Sequence, residues 1–204
     1  MVGAIDDAEI RRIVQRVLQQ VLGLSKAEDA PAIALSGAEP DQHCQAGLPG
    51  RKVVAIGADH GGFELKEILK AELNALGFDT IDVGTDSKAA VDYPDFAHEV
   101  AKMVSTGKAW RGIMIDGAGI GSCIVTNKVP GVRAGMAYDY SSALNGREHN
   151  DTNVLTLGAG MIGVNLARQI VKTWLTTEFG GERHVRRVEK IMAVEKQYLK
   201  RQNA

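Results

Sequence analysis

From residue 51 onward, short apolar runs alternate with stretches of helical period, and few architectures accept that rhythm. Runs at 52–57, 79–83, 112–115, 132–137 and 154–157 read as strands. The segments 63–76, 96–106, 121–128, 141–148 and 163–173 read as helices, and 183–200 reads as a long final one. Short strands that are apolar throughout are buried on both faces, which requires helices above and below a parallel sheet. The expected fold is a five-stranded parallel sheet covered on both sides. Ligands of such sheets bind at the carboxyl ends of the strands.

The segment before residue 51 differs. Ile10, Ile13, Val14, Val17, Leu18, Val21 and Leu22 recur at helical spacing, with arginines and glutamines opposite them. Asp6 and Asp7 suit a helix start and Gly23 a stop. Residues 1–24 are therefore expected to form an amphipathic helix. Residues 25–50 carry turn formers without periodicity and are expected to be a flexible linker, leaving 51–204 as the globular domain.

A net charge of −1 gives a nucleic-acid role no electrostatic support. Cys44 and Cys123 lie far apart and make neither a metal-ligand spacing nor a disulfide framework, so a reducing cytoplasm is the expected setting. No apolar run reaches the roughly 20 residues that cross a bilayer. The amino terminus lacks the apolar stretch of a secretory signal.

Five polar groupings fall at strand ends or helix starts and are expected to converge on one site. They are Gly57-Ala58-Asp59-His60-Gly61-Gly62, Asp92-Tyr93-Pro94-Asp95, Asp116-Gly117-Ala118-Gly119-Ile120-Gly121, His149-Asn150-Asp151-Thr152-Asn153, and the stretch from Gly180 to Arg187. The glycine-rich turn after the third apolar run lets backbone N–H groups approach a ligand, and Asp116 at its mouth is placed for proton transfer. Its glycines do not have the dinucleotide spacing G-x-G-x-x-G.

In these groupings the chain from about 52 to 200 resembles the type B ribose-5-phosphate isomerases and the related galactose-6-phosphate isomerase subunits. The resemblance implies a Rossmann-like α/β/α sandwich that works as a dimer or tetramer with shared active sites and no metal or cofactor. It implies aldose–ketose isomerisation of a sugar phosphate through an enediolate, ribose 5-phosphate to ribulose 5-phosphate being the leading pair. Asp59 and His60 would contact the substrate. The backbone of Gly117, Gly119 and Gly121 would cradle the enediolate. His149 would open the sugar ring with Asn150 beside it. Arg183 and Arg187, four apart and so on one helical face, would grip the phosphate, which arginine's planar fork suits.

The chain departs from the family at the carbon base. Asp116 stands where many members carry a cysteine, and Ser122 where others carry a glutamate. Ala118 replaces a hydroxyl residue, and Gly160 replaces a phosphate-contacting arginine. Three readings stay open. Asp116 is the base, with burial raising its carboxyl from about 3.9; the substrate is a different sugar phosphate; or the chain is a weak paralogue that binds sugar phosphate or completes a partner's site. The amino-terminal helix and linker resemble the encapsulation peptides of bacterial microcompartments, which implies a shell protein as partner of residues 6–23 and a place in the compartment lumen. Self-association is the alternative.

Overall fold

The computed structural model describes residues 52–201. The helix and linker expected at 1–24 and 25–50 lie outside the described residues. Five strands and six helices alternate: β1 Val53–Ala58, α1 Phe63–Ala75, β2 Asp79–Asp82, α2 Tyr93–Ser105, β3 Arg111–Asp116, α3 Ile120–Thr126, β4 Ala134–Met136, α4 Tyr140–Asn150, β5 Val154–Gly158, α5 Val164–Thr176 and α6 Val185–Arg201. A 3₁₀ turn, Glu182–His184, leads into α6. All pairings are parallel, in the order β2-β1-β3-β5-β4.

Side-chain alternation along the buried strands sorts the core into two halves. Val54, Ile56, Ile113, Ile115, Leu155 and Leu157 face α1, α4 and α5. Ala55, Met114 and Val154 point the other way, onto Ala97, Val100, Ala101 and Val104 of α2. Each large apolar side chain so buried contributes about 1.5–3 kcal/mol relative to exposure. The three-layer sandwich with a five-stranded parallel sheet is the fold expected from the sequence.

Several boundaries move by one to three residues, and two of these shifts have local reasons. Helix α2 begins at Tyr93 rather than 96, because Pro94 sits in the first turn, where its missing N–H costs nothing. Strand β4 is reduced to three residues at the sheet edge.

Buried charges anchor the layers. The Arg111 guanidinium donates to the carbonyls of Trp174 and Leu175 at 2.8 and 3.1 Å and lies 4.0 Å from the Trp110 ring centre. It thereby satisfies carbonyls at the end of α5 that have no helical partner. Burial, with Arg147 nearby, pushes its pKa down to about 9, so it remains a cation at neutral pH. Trp174 is buried and donates its indole N–H to Thr152. Both tryptophans are packing residues.

The sheet order reverses around β1 and β3: β2 lies outside β1, whereas the later strands lie beyond β3. The loops after β1 and β3 carry Asp59 and Asp116, and they flank the crevice that such a reversal opens.

Candidate active site

At the carboxyl end of the sheet, β1 runs into a turn closed by its own acid. The Gly62 N–H donates to Asp59 Oδ1 at 3.0 Å, and the Asp59 N–H donates to the Ile115 carbonyl at 3.2 Å. Asp59 is buried, and among the described residues its second carboxylate oxygen has no donor. His60 is exposed, with Nδ1 3.2 Å from the Val91 N–H, which ties the β1 turn to the loop before α2.

Strand β3 ends in the glycine turn, and Asp116 is folded back into it. One carboxylate oxygen accepts from the N–H groups of Ala118 (2.8 Å) and Gly119; the other accepts from the N–H (3.1 Å) and hydroxyl of Ser122. Two acceptor positions on each oxygen are thus filled by donors from its own loop. Ser122 is fully buried. The Gly119 amide, expected to face the enediolate, is spent on Asp116. Among the described residues, the amides of Gly117 and Gly121 make no such bond.

Neighbours lock this turn. Gly119 has φ +80°, which L side chains avoid, and packs on the backbone of Leu157 and Gly158. At Gly121 a methyl group would come within 2.5 Å of the Tyr93 ring. The Tyr138 hydroxyl donates to the Ala118 carbonyl at 2.7 Å. The Gly160 N–H donates to the Gly117 carbonyl at 3.0 Å, so the residue that replaces an arginine instead braces the turn.

The remaining expected site residues lie elsewhere. His149 and Asn150 are in the last turn of α4, before the first residue of β5, whereas Asp116 pairs with Gly158 at the last. A five-residue strand separates the two groups by roughly 13 Å. Within one chain the polar groupings do not converge. They form two clusters, one at each end of the sheet, because each helix returns antiparallel to its strand and carries its carboxyl terminus to the opposite end.

The second cluster is built around a partly buried set of charges. Asp151, at φ +45°, ends α4 and places its carboxylate between Arg133 (2.8 Å) and Arg147 (2.7 Å). Arg147, almost fully buried, also donates to the carbonyls of Thr152 at 2.6 Å and Thr177 at 3.3 Å. It therefore fastens the His149 turn to the segment leading to Arg183. Asn145 donates its side-chain amide to His149 Nδ1 at 2.7 Å, so a neutral His149 ring carries its proton on Nε2. His149 stacks on His184. His184 is buried; Arg183 Nε donates to its Nε2 at 3.3 Å, and its Nδ1 has no partner among the described residues. Desolvation, then the positive fields of His149, Arg183 and Arg187, hold its pKa below the ordinary 6.5. Arg183 sits in the 3₁₀ turn and Arg187 in α6, so the pair does not share one helix; both remain exposed around His184.

The sequence gives no role to Arg147, and it does not show that Ser122 bonds Asp116, that Asp151 joins two arginines or that His184 stacks on His149. The available signal was the run of arginines and acids around His149, not any spacing rule. Cys123 is half-buried, not fully buried, and burial pushes its thiol up. Among the described residues no cluster of three or more His, Cys, Asp or Glu could hold a metal ion, and no helix is long and apolar enough to cross a membrane.

The chain is thus a doubly wound α/β protein with an acid–glycine loop at its switch point, where ligands of such sheets bind, and a histidine–arginine cluster at the far end. Residues 54–191 match the model of the Ribose/Galactose Isomerase family. Ribose-5-phosphate isomerase B of Escherichia coli is 44% identical over 144 residues, covering 71% of this chain and 97% of the relative. D-erythrulose-4-phosphate isomerase of Pectobacterium atrosepticum is 41% identical over 139 residues, covering 68% and 91%. The structure of Clostridium thermocellum ribose-5-phosphate isomerase B superposes with a TM-score of 0.70 at 47% identity, covering 72% of this chain and 99% of that one. The chain belongs to the ribose/galactose isomerase family and is an isomerase.

Proposed function

We propose that the protein interconverts an aldose phosphate and a ketose phosphate through an enediolate, with ribose 5-phosphate and ribulose 5-phosphate as the pair. The observation that carries this reading is the pair of complementary half-sites. One offers loop amides beside a carboxylate, suited to an oxyanion formed by proton abstraction. The other offers an imidazole with its proton on Nε2, suited to ring opening, and two exposed arginines suited to a phosphate. In this reading the Gly117 and Gly121 amides face the enediolate, Asp59 and His60 contact the sugar, and His149 and Asn150 act at the ring oxygen. Arg183 and Arg187 hold the phosphate.

The half-sites stand at opposite ends of one sheet, so a complete site requires a second copy whose histidine–arginine end meets this chain's glycine loop. A homodimer, alone or paired into a tetramer, supplies two such sites by symmetry. The edge strand β4 and the apolar face of α6 border a groove of about 850 Å³, lined by Met136, Ile191, Val194 and Tyr198 among others, which suits that interface.

Asp116 is assigned to shaping the loop rather than to the carbon base, because its carboxylate already accepts from four loop donors. The D-erythrulose-4-phosphate isomerase relative and the glycine at 160 favour a shorter sugar phosphate as the second reading. The test is turnover of ribose 5-phosphate, erythrulose 4-phosphate and galactose 6-phosphate by the purified protein. Ketose formation from the pentose phosphate supports the first reading, preference for the four-carbon substrate supports the second, and no turnover of any points to a binding paralogue.

Residues 6–23 are assigned to docking on a shell protein of a bacterial microcompartment, on the strength of their apolar stripe and the reach of the following 25–50. Deleting 1–24 should leave turnover intact and abolish co-purification with shells. Loss of folding would refute it.

A further inference from the structure

If Asp116 is committed to its loop, the proton at the sugar carbon needs another base, and the structure points to Asp59. Three observations converge. First, of the two acids at the switch point, Asp116 accepts four hydrogen bonds, whereas Asp59 accepts one, from the Gly62 N–H, on a single oxygen. Second, a methyl group placed on Gly61 would lie 3.3 Å from Asp59 Oδ1 and 3.6 Å from the Gly117 N–H nitrogen. The carboxylate, through its Gly62-bound oxygen, and an uncommitted amide therefore stand close together on one side of Gly61, the neighbourhood a proton-abstracting base and an oxyanion donor must share. Third, both are fixed. Asp59 is buried, and its N–H is held by Ile115, while the Gly117 carbonyl is held by Gly160.

We infer that Asp59 is the base that shuttles the proton between C1 and C2 of the sugar. This rests on the isomerase reading above. The Asp59 carboxylate takes the proton from C2 of the open-chain aldose. The C2–H electron pair becomes the C1–C2 double bond, and the C1 carbonyl pair moves to O1, facing the Gly117 amide. The resulting acid returns the proton to C1 as the proton of the C2 hydroxyl passes to O1. The C2 carbonyl forms, and no oxidant or co-reactant is consumed. The inference also explains how the chain dispenses with both the cysteine at 116 and the glutamate at 122: those positions here form an internal Asp116–Ser122 pair.

The test compares the wild type, Asp59→Asn and Asp116→Asn in deuterated water. Ketose formation and deuterium entry at the sugar carbon are followed by NMR, with substrate affinity by calorimetry and melting temperature alongside. Asp59→Asn should lose both isomerisation and exchange by at least ~10²-fold, the range for an acid–base group, with affinity changed less than about fivefold. Asp116→Asn should melt lower yet keep more turnover than Asp59→Asn. Exchange in Asp59→Asn within tenfold of wild type would overturn the assignment. So would a loss explained by weakened binding, or a larger loss in Asp116→Asn at unchanged melting temperature. A wild type that neither isomerises nor exchanges any sugar phosphate would overturn the isomerase reading itself, and the assignment with it.

Discussion

The imidazole rings of His149 and His184 lie parallel, 8° apart in plane and 4.1 Å between centres. That stacking sets a pH limit on the second half-site. His184 is held below the ordinary 6.5 by desolvation and by the positive charge of His149, Arg183 and Arg187, against an opposing field from Glu148. A depressed histidine pKa means that the unfolded chain binds more protons than the folded one as pH falls. Stability is therefore fully present above about 6.5 and declines as pH drops below it. The melting temperature should fall between pH 7 and 5, and His184→Gln should flatten that slope. An unchanged slope in the variant would place the acid sensitivity elsewhere.

Ser122→Ala should destabilise the fold by about 1.5–3 kcal/mol, the usual worth of a hydrogen bond to a charged group, because the hydroxyl bonds a buried carboxylate. Denaturant unfolding checks this. A loss below about 0.5 kcal/mol would show that the carboxylate finds another donor.

Gly121→Ala should destabilise by about 1–3 kcal/mol through collision with the Tyr93 ring. Truncating the ring should relieve it. The double variant Tyr93→Ala/Gly121→Ala should be more stable than the sum of the single losses implies, which a double-mutant cycle measures directly. Additive losses would mean that the ring does not confine the glycine loop.

Arg147→Met should cost about 3 kcal/mol. The change leaves the buried Thr152 carbonyl and the part-buried Thr177 carbonyl without this donor and Asp151 with Arg133 alone, and Asp151 is itself partly exposed, so the low end of the range for breaking a buried pair applies. Arg147→Lys should recover only part, since an ammonium does not reproduce the guanidinium fork. Thermal unfolding of both variants tests this, and a wild-type melting point for Arg147→Met would contradict it.

Much of the fold was legible because buried parallel strands leave continuous apolar runs, and β1, β3 and β5 were placed almost to the residue. Edge strand β4, paired on one side alone, has a weaker signature and proved shorter than expected. Pro94 hid the first turn of α2, since proline there is compatible with a helix but does not announce one. The site was half legible. Asp59, Asp116 and the glycine turn sit where a strand ends, and sequence marks strand ends well. His149 and Arg183 lie at the other end of the sheet, because a return helix runs antiparallel to its strand, and no spacing in the sequence shows which residues of one chain stand together. The capture of Asp116 by Ser122 was not legible at all: a contact six residues apart across a left-handed glycine depends on how tightly the turn closes.

The central claim is an isomerase whose active site draws on two copies of the chain, with Asp59 from one and His149 from the other. Subunit mixing tests it most directly. Asp59→Asn and His149→Ala, each inactive alone, are unfolded together, refolded in equal amounts and assayed with ribose 5-phosphate. Random re-pairing into symmetric dimers should restore roughly a quarter of wild-type turnover, because half the dimers carry one site free of either substitution. A mixture no more active than its parents, both being correctly folded and dimeric, would contradict the shared site.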